Sequence, residues 1–170
     1  MEPPFNPIPT FILDWMEQTW LNGFMLDFSY TWVIMETLHF FGMCLLFGPI
    51  IVMDLRLLGF DRVRVPATAL HTLVPLAMIG FAINLITGTA FFFGNPYRYA
   101  VNISFQLKML LVLLAGLNVL YFWRMAAPVL AAGGPNDDPP YWLKAAGLSS
   151  LLLWTGVLAF GRLIPYLGTG

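Results

Sequence analysis

The 170 residues are 59% hydrophobic and 10% charged, with a net charge of -1 and a mean hydropathy of +0.76. A soluble domain carries about 25% charged residues, so this chain cannot cover a water-facing surface. Without a basic face it is not expected to bind nucleic acid. Cys44 is the single cysteine, so no internal disulfide can form, and its place in an apolar run reads as inert packing.

In chain order, the start Met1-Glu2-Pro3-Pro4-Phe5-Asn6-Pro7 lacks the basic stretch of a cleavable signal peptide, so the first apolar run is expected to direct membrane insertion itself. Residues 10–21 place Phe11, Ile12, Trp15, Met16, Thr19 and Trp20 on one helical face, with Asp14, Glu17 and Gln18 on the other. This segment is too polar to span and reads as a helix lying in the membrane interface, or as a cap over a bundle end. Four apolar runs follow, at 28–53, 66–93, 103–127 and 142–163. Each exceeds the roughly 20 residues that cross a bilayer. Pro66 suits a first helical position, Pro75 is expected to kink its helix, and Gly133-Gly134-Pro135-Asn136-Asp137-Asp138-Pro139-Pro140 is a strong break. The expected fold is all-α: one integral membrane domain over residues 1–170, an up-down four-helix bundle with an N-terminal interfacial amphipathic helix. Arg56, Arg62 and Arg64 flank the first connection and Arg124 and Lys144 the third, whereas Arg98 is the one basic residue of the second. That asymmetry predicts periplasmic N- and C-termini in a bacterial inner membrane.

Depth within an antiparallel bundle is counted at about 1.5 Å per residue. The count places Glu36, Lys108 and Arg162, from three different helices, in the outer third of the membrane, with His39, Asn84 and Thr87 just below. Charges inside a span are costly, at least about 2.5–3.5 kcal/mol each near the centre, and normally face inward and pair. Ala77, Gly80, Asn84 and Gly88 form a small-residue stripe that allows close helix approach. The cluster has two readings. One is a proton, ion, quinone or cofactor site opening outward. The other is an ion-pair network that fixes helix register, with Lys108 and Arg162 snorkelling to the headgroups.

The two histidines invite a haem held between His39 and His71. Counting from the first connection, however, separates them by roughly 20 Å of depth, which disfavours one macrocycle bridging both. Haem b through His39 then requires another axial ligand, such as methionine, or a second copy of the chain. Two histidines and one cysteine supply a zinc or copper site poorly. No nucleophile constellation, phosphate loop or carboxylate pair is present, so catalysis by this chain alone is not expected.

Glu36-Thr37-Leu38-His39-Phe40-Phe41-Gly42, Gly48, Asp54-Leu55-Arg56-Leu57-Leu58-Gly59, Phe105-Gln106-Leu107-Lys108, Asn118 and Gly161-Arg162-Leu163-Ile164-Pro165-Tyr166 carry a resemblance. From Trp32 onward the chain resembles an uncharacterised family of small four-helix bacterial inner-membrane proteins. It departs from the family at Pro165, where a small residue is commoner. The resemblance implies a fold and a membrane location but no activity. More distantly, Lys108 in its apolar helix is similar to copper-resistance protein D and the cytochrome b-like membrane proteins, which implies redox chemistry. The expected function is thus a small redox or cofactor-binding membrane subunit, holding haem b or quinone. Glu36, His39, Asn84, Lys108 and Arg162 would form its site, and His39 would be the metal ligand if the cofactor is haem. Its expected partners are the lipid bilayer, with a redox protein or a second copy of the chain. The alternatives are ion or copper handling, or a purely structural accessory role.

Overall fold

The computed structural model describes residues 6–60, 69–126, 128 and 138–167, the side chains of 69–71 and 126 excepted. Pro66, Arg62, Arg64, the side chain of His71 and most of the third connection lie outside the described residues. The elements are α1 (Thr10–Glu17), α2 (Trp20–Asp27), α3 (Thr31–Leu58), α4 (Ala69–Gly94), α5 (Pro96–Ala100), α6 (Ile103–Tyr121) with a π-helical turn at Phe122–Ala126, and α7 (Tyr141–Leu167). Four of these helices, α3, α4, α6 with its π turn, and α7, are long and apolar enough to cross a membrane. The chain is a multi-pass membrane protein built only of helices among the described residues.

The helix ends are fixed by local chemistry. α3 runs past Met53 through Asp54-Leu55-Arg56 and stops at Gly59, whose φ of 96° is left-handed. There the Gly59 amide bonds the Arg56 carbonyl at 3.1 Å and the Phe60 amide bonds the Leu55 carbonyl at 3.0 Å, the two bonds of a Schellman cap. Asn95 starts α5 by accepting from the Arg98 amide, ahead of Pro96 at the first helical position. Asn102 starts α6 by accepting from the Phe105 amide at 3.1 Å, while its own amide donates to the Ile164 carbonyl of α7 at 2.9 Å. That second bond ties the beginning of one spanning helix to the end of another.

Packing follows the order α4–α3–α7–α6. The tightest approach is between α3 and α4. A Cβ placed on Gly80 would lie 2.5 Å from the Leu46 amide nitrogen and 2.7 Å from the Gly42 carbonyl oxygen, so the two backbones are in contact there. This is the small-residue mode of helix association, suited to a solvent in which apolar side chains gain little by leaving lipid. Gly147 of α7 sits against α3 in a similar way: a Cβ there would lie 3.1 Å from Leu57 Cβ and 3.2 Å from the Asp54 carbonyl oxygen. Leu46, Ile50, Ala77, Ala115, Trp154 and Val157 form the buried core where the four long helices meet. Consecutive helices α4 and α6 have no close backbone approach among the described residues. They touch through side chains, with Phe92 stacked on Phe105 at 5.4 Å.

The N-terminal segment is two helices rather than one. Thr19 breaks it: its hydroxyl donates to the Met16 carbonyl at 2.6 Å, closing α1, and accepts from the Asn22 amide at 3.4 Å, opening α2. The buried face also differs from the expected one. Leu13 and Met16 pack into Ala100, Phe92, Phe93 and Tyr97, while Phe11, Trp15 and Trp20 stay exposed. Leu13 and Met16 are one helical turn apart, and only that narrow pair fits the end of the bundle. The exposed aromatics match the belt that such residues form at a membrane surface. Asn22 donates to the Phe93 carbonyl at 2.8 Å, and the Tyr97 hydroxyl donates to Asp14, so both short helices are fastened to the α4–α5 corner. Cys44 proves to be exposed on the lipid-facing side of α3 rather than buried.

Two outcomes are expected from these contacts. Gly80→Ala should destabilise the protein by about 1–3 kcal/mol through overpacking against α3. Gly48→Ala, at a position with open space around it, should not; unfolding in detergent micelles distinguishes them. The hydrogen bond to Asp14, aided by the nearby carboxylates of Asp14 and Glu17, pushes the Tyr97 phenol up to about 12 from 10.0. Because this pKa is raised on folding, the contribution of the bond is complete below about pH 10 and is lost as pH rises towards 12. Ultraviolet titration should show phenolate formation moving back towards 10 in Asp14→Asn.

Candidate functional site

His39 lies on α3 one turn before Gly42, on the stripe that meets α4. Its Nδ1 is 2.7 Å from the Thr87 hydroxyl oxygen. Thr87 is almost fully buried, 2% exposed, and its hydroxyl lies 2.7 Å from the Ile83 carbonyl one turn earlier in α4. A hydroxyl has one proton. If that proton goes to the Ile83 carbonyl, Nδ1 donates to Thr87 and the imidazole lone pair sits on Nε2; if it goes to Nδ1, Nε2 carries the ring proton. Ring packing holds the imidazole in place: Phe91 meets it edge-on at 5.5 Å and is itself stacked on Trp32 at 5.5 Å. Gly88 lies beside Cε1, with 3.8 Å to the place a Cβ would occupy.

Asn84 occupies the next rung of the same seam. Its amide packs over Gly42, where a Cβ would come within 3.1 Å of both Cγ and Nδ2. Both Nδ2 and Oδ1 are buried and without a hydrogen-bond partner. An amide buried in this way forfeits about 1–3 kcal/mol for an unsatisfied group, and such groups call for an explanation. The Gly42–Asn84 and His39–Thr87 contacts are therefore neighbouring rungs of one interface, one closed by hydrogen bonds and one left open.

Lys108 of α6 is half-buried. Its stem lies over Gly161 of α7, with Nζ 3.5 Å and Cε 3.6 Å from the position of a Cβ there, so the glycine makes the seat for the lysine. Lys108 is the charged group near enough to act electrostatically on His39. No ion pair joins it among the described residues, where Lys144 with Asp138 at 2.8 Å is the pair formed. Glu36 and Arg162 are exposed on α3 and α7, and neither enters an ion pair with Lys108. Of the residues singled out in the sequence, His39 and Asn84 are brought onto adjacent rungs and Lys108 comes within electrostatic reach, while Glu36 and Arg162 face outward. No group of three His, Cys, Asp or Glu side chains is arranged for a metal among the described residues.

A second polar level lies at the other end of α3. Asp54 and Arg56 are buried, 5% and 3% exposed, and Ser150 of α7 lies beside the Asp54 carboxyl. The Asp54 Oδ2 atom has no hydrogen-bond partner. In the sequence these residues look like the polar flank of a span. Asp54 does continue the stripe Leu46, Ile50 and Leu57 at helical spacing, whereas Arg56 lies off it.

The orphan amide of Asn84 separates a packing role from a binding one. If the amide serves packing alone, Asn84→Leu, which removes both unsatisfied groups, should raise stability by about 1–3 kcal/mol. If the amide has a bound partner, the protein purified with that partner should instead lose stability in the same variant; thermal unfolding before and after delipidation reads the difference.

No curated protein and no solved structure matches the chain. A family model does match, over residues 12–167, which takes in the α3–α4 seam, the Lys108 seat and the buried Asp54 level. The chain therefore belongs to the family of unknown function DUF6644.

Proposed function

We propose that this protein is a small cofactor-binding subunit of a bacterial inner membrane, holding a quinone-class head group beside His39. The observation that carries the reading is the commitment of the His39 Nδ1 atom to Thr87, itself backed by the Ile83 carbonyl. In the tautomer in which Nδ1 donates to Thr87, Nε2 is an acceptor held in one orientation, next to an amide and an ammonium in electrostatic range that have no partner among the described residues. A quinone or quinol ring needs that mixture. Its hydroxyl in the reduced form donates to Nε2, and its carbonyl oxygens accept from the Asn84 amide or Lys108. The remaining lining, Trp32 and Phe91, is aromatic and apolar, as cofactor sites generally are.

A second reading rests on the same hydrogen bond. Fixing one ring nitrogen so that the other presents its lone pair is how axial histidines are oriented. Haem b bound through His39 Nε2 is the alternative occupant, with its other axial ligand outside this set. For either cofactor, the basic residues Arg56, Arg62, Arg64, Arg124 and Lys144 favour a cytoplasmic side opposite α1, with both termini periplasmic.

Protein purified in mild detergent and extracted with organic solvent is expected to yield quinone, without a Soret band. His39→Ala should lower the retained quinone roughly tenfold, the loss of about 1.4 kcal/mol of binding. Thr87→Val, which keeps the shape but frees the imidazole, should lower it by less. A Soret band that vanishes in His39→Ala would transfer the site to haem. Neither quinone nor Soret absorption in the wild-type protein sinks both assignments and leaves the polar seam as packing.

A further inference from the structure

A different feature of the same helix pair points to lipid. On the lipid side of the α3–α4 seam, α2 overhangs a groove of about 470 Å³ lined by Trp20, Phe24, Met35, Leu85, Ile86 and Ala90, with Thr89 at its rim. We infer that this groove is a seat for one acyl chain of a phospholipid from the leaflet on the α1 side, fastening α2 to the bundle.

Four observations carry the assignment. The groove lies along two helices that cross the membrane, so the medium that reaches it is hydrocarbon. Apart from Trp20, its walls offer no free side-chain donor among the described residues: Thr89, the one hydroxyl, donates to the Leu85 carbonyl at 2.7 Å. Its upper end is roofed by α2, which is fastened by Asn22 to the end of the membrane-spanning helix α4, so the groove opens at the end of that span and runs along it. At that upper end the Trp20 ring is exposed, and its indole N–H has no acceptor among the described residues. An indole N–H above an apolar slot is complementary to a glycerol ester carbonyl above its chain.

The groove has three walls from three helices, which sets it apart from the convex faces that any annular lipid touches. Leu113 and Leu117 on α6, exposed to about the same degree as Ile86, are not among the residues that line this groove, and so serve as the internal reference. An acyl chain seated against Ala90 and Met35 would contact α2, α3 and α4 together. It would fill space that the side chains leave empty, in a region where an unfilled void forfeits dispersion contacts.

The test uses the full chain in vesicles of phosphatidylethanolamine and phosphatidylglycerol with a trace of phospholipid carrying a photoreactive diazirine on one acyl chain. After illumination, peptide mapping should find label on Met35, Ile86 or Ala90 roughly tenfold above Leu113 and Leu117. Thr89→Trp, which fills the groove from its exposed rim, should bring the labelling down to that of Leu113 and Leu117. Thr89→Ala, which leaves the groove open, should not. Even labelling of all exposed positions in the wild-type protein, the mark of annular contact only, overturns the assignment. So does unchanged labelling in a folded Thr89→Trp variant, with folding read independently from thermal unfolding in detergent.

Discussion

Backbone contact between α3 and α4 at Gly42 and Gly80 is the constraint on which the other features of this molecule depend. In lipid there is little hydrophobic reward for pairing two apolar helices, so association rests on close van der Waals packing and hydrogen bonds. Two glycines supply the first. Removing side chains at the crossing lets the helices approach until atoms of one backbone touch the other. The second follows from it, because only at that separation can a short threonine side chain reach an imidazole across the interface at 2.7 Å. Asn84 is buried by the same approach. Its amide is left without a partner among the described residues because it faces a glycine, Gly42, rather than a hydrogen-bonding side chain.

Asparagines perform a second task at the end of the bundle that carries α1 and α2. Asn22, Asn95 and Asn102 each stand beside a helix start or corner, where amides lack intrahelical partners. Asn102 satisfies its own helix start with its oxygen and the last turns of α7 with its nitrogen. Asn22 does the same service for the carbonyl at the end of α4. With Tyr97 bonded to Asp14, these contacts hold a lid of two short helices over one end of the four long ones. The aromatic residues left outside, Phe11, Trp15 and Trp20, extend the lid laterally into what surrounds the bundle.

The sequence made the four long helices legible because their apolar runs exceed what any soluble core needs. That α4 could approach another helix closely was also legible, since Gly80, Asn84 and Gly88 recur at helical spacing, but the spacing did not say whether the partner was α3 or a second copy of the chain. Counting residues from the connections brought His39 near Asn84 and Thr87 in depth, and the helix order then placed them on one seam. Counting depth says nothing of rotation about the helix axis, which is why Glu36 and Arg162 share a level with Lys108 yet face outward. The burial of Asp54 and Arg56 was obscured by their place near the end of an apolar run, where charges ordinarily reach water. The break at Thr19 was hidden for another reason. A single hydroxyl ending one helix and starting the next leaves the hydrophobic periodicity almost continuous across it.

The packing order α4–α3–α7–α6 has a consequence for how the chain assembles. It divides the molecule into two helical hairpins, α3 with α4 and α6 with α7, joined in sequence by the short α5 corner. The seam between them runs through α3 and α7, from Leu46, Ile50, Trp154 and Val157 to Gly147 at the end of α3. Each hairpin pairs neighbours in the chain and can close as soon as its second helix enters the bilayer, before the other hairpin is made. The last event is then a lateral docking of two finished halves, with the Phe92–Phe105 stack closing the far corner, while the Asn102 bond to Ile164 belongs to the second half itself. In that architecture the polar seam of His39 and Asn84 belongs wholly to the first hairpin, and the second brings only Lys108 to it. A site that is shaped early and receives its charge late is empty of its cation for as long as the two halves remain apart.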